Sequence, residues 1–486
     1  MKTLKSRTCV TLACVAGVTA SPGIVAAETI ELYVDRKTQQ IFASPGPDRD
    51  RIGTFEQVHK PGASTQAEST PVTPSASSKI LPAPSVVSAP MDAPATAQTT
   101  QKSADEKSKW YDRISLRGYT QFRFNHGAGG NAYGLRSPGD RFIGDNQGFG
   151  LRRARIVLSG DLHERLSIYL QQDLVSIPSG SSTWNFGQVR DAYADIYLDK
   201  AREFRLRAGQ SKVPYGWENL QSSQNRLTPD RADALNSAVK DERDIGVFFY
   251  YTPSEIRERF KYLVNSGLKG SGDYGVFGLG VYNGQGANRP ERNNRLHTVV
   301  HLTYPFKLPN GQFLELGVDA YTGRFKVASP SAITVDGKKI TPVDSSPSRG
   351  TTDQRVAVHA IYYPQPFGLQ AEWTVGRGPQ LDLANGIIGT RSLHGGYVQA
   401  MYKFDHPSVG SVIPYVKWQT YRGASKFDTN NPRMRVNELE IGTEWRPFDA
   451  LELTAAYSRM RRTDLSEAPY RTVAGNLLRF QLQVNY

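Results

Sequence analysis

Leu478-Arg479-Phe480-Gln481-Leu482-Gln483-Val484-Asn485-Tyr486 alternates without a break: every even position is apolar or aromatic and every odd position up to Asn485 is polar. Successive side chains of an extended strand point to opposite faces, so this stretch predicts a strand with one apolar and one wet face. The pattern recurs upstream. Ile114, Leu116, Gly118, Thr120, Phe122 and Phe124 oppose Ser115, Arg117, Tyr119, Gln121, Arg123 and Asn125. Leu314, Leu316, Val318 and Ala320 oppose Glu315, Asp319 and Tyr321, and Leu451, Leu453, Ala455 and Tyr457 oppose Glu452, Thr454 and Ser458. A soluble β-sandwich has the same period, so alternation alone does not say whether the apolar face meets a core or lipid.

Strand length and connector length decide it. The runs are about ten residues, long enough for a tilted strand to cross a bilayer and longer than the usual ~5–6 of soluble sheets. From a first strand at 111–125, connections alternate in length: 126–148 then 160–163, 175–187 then 199–201, then 212–242. Further on, short connections at 306–311, 364–367, 405–410 and 447–450 separate longer ones at 284–294, 325–352, 377–390, 422–434 and 462–476. Tight turns on one rim and long loops on the other are the rule of outer-membrane barrels. Seventeen runs qualify as strands, but termini on the same side require an even number. The weakest, 258–268, contains Asn265-Ser266-Gly267 and falls into a longer periplasmic connection at 252–273, leaving sixteen. The predicted fold is therefore an all-β, 16-stranded antiparallel transmembrane β-barrel, wide enough to enclose water.

Composition agrees. The chain has 486 residues with 59 Lys+Arg against 46 Asp+Glu, and a mean hydropathy of −0.48. A helical membrane bundle needs repeated apolar runs of ~20 residues, which this polarity excludes; a barrel averages its two faces. Lys2, Lys5 and Arg7 followed by apolar Cys9 to Val18 read as an export signal, 1–27, with cleavage after Ala27 or Ala20. Retention as an anchor is disfavoured by the Thr, Ser, Pro and Gly that interrupt the run, and lipidation at Cys14 by Thr11 three residues before it. Both cysteines lie in this signal, so the exported chain has no thiol chemistry. Residues 28–58 predict a small β-hairpin from Ile30–Val34 and Thr38–Ala43. Residues 59–109, without an aromatic and rich in Pro, Ser, Ala and Thr, predict a disordered linker. From Trp110 to Tyr486 the texture is that of the barrel, which holds +11 of the net +13 charge.

With apolar faces outward, the lumen side carries Arg117 and Arg123, Arg153 and Arg155, and Arg205 and Arg207. Rings of Arg or Lys favour anions, because they replace lost hydration and attract the passing charge. The opposing reading is an ordinary mixed wall, balanced by Asp191, Asp195, Glu438, Glu440 and Glu444. The longest early connection, 212–242, is the candidate for a loop folded inward, and Pro229–Ser237 within it predicts a short helix capped by Thr228 or Asp230.

These residues resemble the phosphate-selective porin O and P family over roughly 110–486. The resemblance rests on Arg152-Arg-Ala-Arg-Ile156, Arg190-Asp-Ala-Tyr193, Arg207-Ala-Gly-Gln-Ser-Lys-Val-Pro-Tyr-Gly-Trp-Glu218, Gly280-Val-Tyr-Asn-Gly284 and the terminal Tyr486. It implies a homotrimeric porin in the outer membrane of a Gram-negative cell, embedded among lipid and lipopolysaccharide, with the N-terminal region in the periplasm. It further implies that Arg152 and Arg153 form an arginine pair at a central anion site, with Asp191 nearby, Ser222 and Ser223 on the loop and Lys212 in the loop-entry motif. Two positions depart from the family pattern: Asn219 stands where phosphate-selective members carry lysine, and Arg155 where they carry tyrosine. Strict alternation also turns Arg153 and Arg155, but not Arg152, inward; a bulge would reconcile the two.

Enzyme readings find little footing. Gly270-Ser-Gly-Asp-Tyr-Gly275 spells GxGxxG without a strand-then-helix unit around it. His297 and His301, four apart on a strand, lie ~13 Å apart and cannot share a metal. A barrel-embedded hydrolase and a secreted glycan-binding sandwich are the rival classes, and neither shows a recognisable site. The expected function is a water-filled channel for small anions or polar solutes, with unselective diffusion of neutral solutes as the alternative. No cofactor, metal or nucleic acid is expected.

Overall fold

The computed structural model describes residues 29–35, 41–42, 45–47, 49–56 and 109–486, the last without 138, 141, 145–146, 176–186, 329 and 467. The predicted signal and nearly all of the predicted linker lie outside the described residues. The chain divides into two units, Met1–Thr100 and Gln101–Tyr486. In the first, strands Thr29–Asp35, Ile41–Phe42 and Arg49–Glu56 form a three-stranded sheet with Thr29–Asp35 in the middle. The expected hairpin is thus extended by a third strand, Arg49–Glu56, whose Ile52, Thr54 and Phe55 the sequence reading left unassigned.

The second unit is a closed barrel. Its sixteen long strands are β1 (Ile114–Gly130), β2 (Gly148–His163), β3 (Leu166–Asp173), β4 (Gln188–Tyr197), β5 (Phe204–Lys212), β6 (Arg243–Tyr251), β7 (Phe277–Tyr282), β8 (His297–Lys307), β9 (Phe313–Phe325), β10 (Thr351–Tyr362), β11 (Phe367–Asp382), β12 (Ile387–Tyr402), β13 (Gly410–Ala424), β14 (Arg433–Phe448), β15 (Leu451–Thr463) and β16 (Thr472–Asn485). Each pairs antiparallel with the next, and β16 closes on β1 in the register Phe480↔Phe124 and Gln481↔Arg123. The C-terminal Tyr486 exchanges backbone hydrogen bonds with Gly118 at 2.6 and 3.0 Å. Its ring lies where a side chain at Gly118 would stand: a Cβ there would meet Tyr486 Cε2 at 2.5 Å and the Arg155 carbonyl at 2.3 Å.

The two faces separate as the alternation predicts. Leu116, Leu302 and Ile441 are 71%, 45% and 54% exposed, while Arg123, Asp353 and Glu372 on the other face are buried. At the short-turn rim, outward aromatics pack in pairs, among them Phe204 with Tyr251, Tyr304 with Phe306 and Tyr402 with Phe404. Such an aromatic belt suits the membrane–water interface.

Two expectations about connections need correction. The longer connection expected at 252–273 does join β6 to β7, and it contains the helix Ser254–Asn265. Its Ile256, Phe260 and Leu263 recur at helical spacing and are buried, a period that a strand-based reading misassigns. Much of 377–390 is strand: Arg377–Asp382 pairs with Ile387–Ser392, so the hairpin turns only at 383–386. The inward loop L3 (213–242) does contain short helices, α1 (Trp217–Leu220) and α2 (Asp233–Asn236), but neither Thr228 nor Asp230 caps α2. Its N-cap is Ala232, whose backbone N–H donates to Glu218 Oε2 at 2.7 Å. Thr228 donates instead to the Asp230 carbonyl, and the Asp230 carboxylate turns to arginines on the wall.

Candidate functional site: the lumen at loop L3

L3 crosses the barrel and is tied to wall after wall. Gly216 N–H donates to Asp319 on β9 at 2.8 Å, and Trp217 and Glu218 N–H donate to Glu372 on β11 at 2.6 and 3.1 Å. Glu218 pairs with Lys417 on β13. Asp233 meets Arg462 on β15 at 2.7 Å, and Arg355 on β10 holds the Ala234 carbonyl and Ser237. On the opposite side Gln121 of β1 donates to the Ser223 carbonyl at 3.1 Å. A loop fixed this widely narrows the lumen. Between L3, the first loop and β13–β16 remains a small cavity of about 20 Å³, where Asp230, Asp233, Glu438 and Glu440 face Arg231, Lys417, Arg462 and Arg479.

The predicted arginines divide by their partners. Arg123 meets Asp140 at 2.9 Å and Asp230 at 3.1 Å. Arg155 is paired with Asp173 at 2.8 Å and also donates to Tyr119. Arg207 makes a two-pronged contact with Asp195 at 2.7 and 2.8 Å, while Arg205 lies 3.5 Å from Asp273 and 3.9 Å from Asp195. Asp191 is engaged by Arg243 of β6 at 2.8 Å. These pairs compensate one another, and their charges are largely spent on the wall itself.

Arg152 and Arg153 differ. Between Gln121↔Arg153 and Phe122↔Leu151 the register shifts by one, so Arg152 is the extra residue of a β-bulge on β2. The bulge lets both neighbours reach inward: Arg152 contacts the Gly139 carbonyl and lies 3.7 Å from Asp230, and Arg153 donates to Gln121 Oε1 at 2.6 Å. No carboxylate lies within ion-pair distance of Arg153 among the described residues, and its main charged neighbours are Arg152, Arg155 and Arg226. Arg226, on L3, was not singled out by the sequence reading, because no period marks a loop residue. It donates only to the Thr228 and Pro229 carbonyls, and its second guanidinium nitrogen is buried without a partner.

The remaining predicted residues have other placements. Lys212 is buried and donates to the Leu220 and Gln221 carbonyls at 2.8 and 2.9 Å, which pins L3. Ser222 and Ser223 engage L3 and the wall through their carbonyls, Ser222 accepting from Asn225 and Arg226 N–H. Arg117 is exposed, its guanidinium 5.6 Å from the Tyr169 ring centre, and has no carboxylate partner among the described residues. Asn219 donates to the Tyr215 and Leu235 carbonyls at 3.2 and 2.9 Å, inside L3.

Electrostatics tie the first loop to L3. Burial alone would push the Asp140 carboxyl up, but Arg123 and Arg479 outweigh it and hold the group down to about 2. Asp230 is likewise driven well below the usual range against its burial by Arg123, Arg479 and Arg152.

A closed 16-stranded barrel with an inward third loop and a polar, charged lumen is an outer-membrane porin, a channel and not an enzyme. The chain belongs to the phosphate-selective porin O and P family, whose model matches residues 129–486. No curated protein matches it. Solved structures that resemble it include OmpF of Salmonella typhi with daunomycin, at TM-score 0.46 and 14% identity, covering 77% of this chain and 97% of that one. The trimer form of OmpT from Vibrio cholerae follows at 0.45 and 11%, covering 77% and 99%. The anion-selective porin from Comamonas acidovorans stands at 0.42 and 12%, covering 77% and 99%.

Proposed function

We propose that this porin passes small anions along a route whose selectivity comes from Arg152, Arg153 and Arg226, with Arg117 contributing at the rim. The observation that carries this reading is the charge balance. Arg123, Arg155, Arg205 and Arg207 face carboxylates at 2.7–3.5 Å, whereas among the described residues Arg153 has no carboxylate within ion-pair distance and Arg226 feels Asp230, Glu218 and Glu242 only at longer range. Uncompensated positive charge in a narrow, poorly solvated passage attracts anions and repels cations.

High-affinity phosphate capture is not expected. Asn219 supplies no charge and spends both its side-chain donors on L3 carbonyls. Arg155 is already committed to Asp173. We therefore read the channel as anion-preferring without phosphate specificity. In the same reading, residues 1–27 are the signal, 28–58 a periplasmic module, 59–109 a tether and 110–486 the porin, assembled as a homotrimer in the outer membrane of a Gram-negative cell.

Reconstitution in planar bilayers tests this. Discrete channel openings are expected, with chloride current unaffected by micromolar phosphate. Block by micromolar phosphate would show that a specific site survives without the lysine; absence of any conductance would overturn the channel reading.

A further inference from the structure

On the wall opposite the arginines, Glu315 and Asp319 of β9, Glu372 of β11, His301 of β8 and His359 of β10 are buried together. Among the described residues, no Lys or Arg pairs with any of the three carboxylates. Their partners are hydroxyls, histidines and backbone N–H groups: Glu315 takes Thr303 and Tyr363, Asp319 takes His301 at 2.5 Å and Gly216 N–H, and Glu372 takes Trp217 and Glu218 N–H. His359 is 4% exposed; its Nε2 lies 3.0 Å from Thr303 Oγ1, and its Nδ1 has no partner. Asp319, His359 and Glu372 each present a ligand atom, all within 4.8 Å of one another.

We propose that Asp319, His359 and Glu372 form a site for a divalent transition metal, with zinc the best match, that fastens the start of L3 to the barrel wall. One imidazole and two carboxylates are a ligand set that zinc accepts, with bonds of about 2.0–2.2 Å and room for water in the fourth position. Ligand atoms of a tetrahedral site stand about 3.3 Å apart at such bond lengths, so side-chain rotations of about 1 Å close the set. His301 on Asp319 then serves as the outer partner that orients a ligating carboxylate. The cation also supplies the positive charge that Glu315, Asp319 and Glu372 receive from no Lys or Arg ion pair among the described residues. Because Asp319 and Glu372 hold Gly216, Trp217 and Glu218, the metal stiffens the entry of L3.

The full-length protein in detergent, stripped with chelator and dialysed, is titrated with zinc while bound metal is measured by mass spectrometry and heat. One zinc per chain is expected, with binding weakened at least tenfold in His359→Gln. That variant leaves both L3 contacts to Glu372 in place; retained heat-modifiable gel mobility shows that it folds. Cobalt added to the stripped protein is expected to give visible absorption that His359→Gln abolishes. Failure to bind stoichiometric zinc, or equal binding by His359→Gln, overturns the site. Neither readout depends on which solute the channel passes.

Discussion

Replacing Arg153 with alanine isolates the charge on which anion preference rests. Arg153 has one close partner, the Gln121 side chain at 2.6 Å, so its removal costs about 1–3 kcal/mol of stability and leaves the barrel standing. Its effect on permeation is larger in proportion. A monovalent anion ~4 Å from a guanidinium gains about 1 kcal/mol in bulk water and about 4 kcal/mol at an effective dielectric of 20. Taking the watery limit, about 1 kcal/mol corresponds to roughly a fivefold fall in the chloride-to-potassium permeability ratio. The assay is the reversal potential of the variant across a potassium chloride gradient. The double variant Arg207→Gln with Asp195→Asn is the reference, because it removes a compensated pair and leaves net charge unchanged; its reversal potential should match the wild type. An Arg153→Ala channel with unaltered selectivity would refute the idea that unpaired arginines set the preference.

Three further outcomes are expected. Glu218→Gln leaves Lys417 buried without its carboxylate, at a cost of about 3–5 kcal/mol, and loosens the crossing of L3; single-channel conductance should rise, and an unchanged value would mean that other ties alone hold the loop. Asp140 and Asp230 ionise below their ordinary range, so the stability they supply is complete above about pH 4 and is lost as pH falls toward 2; the melting temperature of the folded barrel should be flat from pH 7 to 5 and drop below pH 4, whereas a drop already near pH 6 would implicate histidines instead. Gly118→Ala should reduce assembly, since its Cβ would lie 2.3 Å from the Arg155 carbonyl; a normal yield of heat-modifiable barrel would show that the β1–β16 seam can shift to admit it.

The barrel was legible because a two-sided strand repeats its signal at every second residue, as in Leu478–Tyr486, and because connectors differ in length by rim. What escaped the sequence lacks such a period. The helix Ser254–Asn265 hides behind apolar residues that also suit a strand. A bulge near Arg152 follows from the sequence only as a way to turn both arginines inward, and the shifted pairing with Gln121 and Phe122 places it. Pairing partners were equally hidden, since Arg123 finds Asp230 and Arg355 finds Ser237 across the lumen at long sequence separation. The sequence therefore yielded the list of inward arginines but not the division between compensated and free ones. Asp319, His359 and Glu372 sit on three different strands with no motif spacing, which is why no metal was expected from the sequence.

The most direct test of the account is the reversal potential of the wild-type channel in a tenfold potassium chloride gradient. Arg153, with no carboxylate within ion-pair distance among the described residues and with Arg152 and Arg226 beside it, predicts a potential whose sign reports chloride as the more permeant ion; a potential of the opposite sign, reporting potassium, would contradict it.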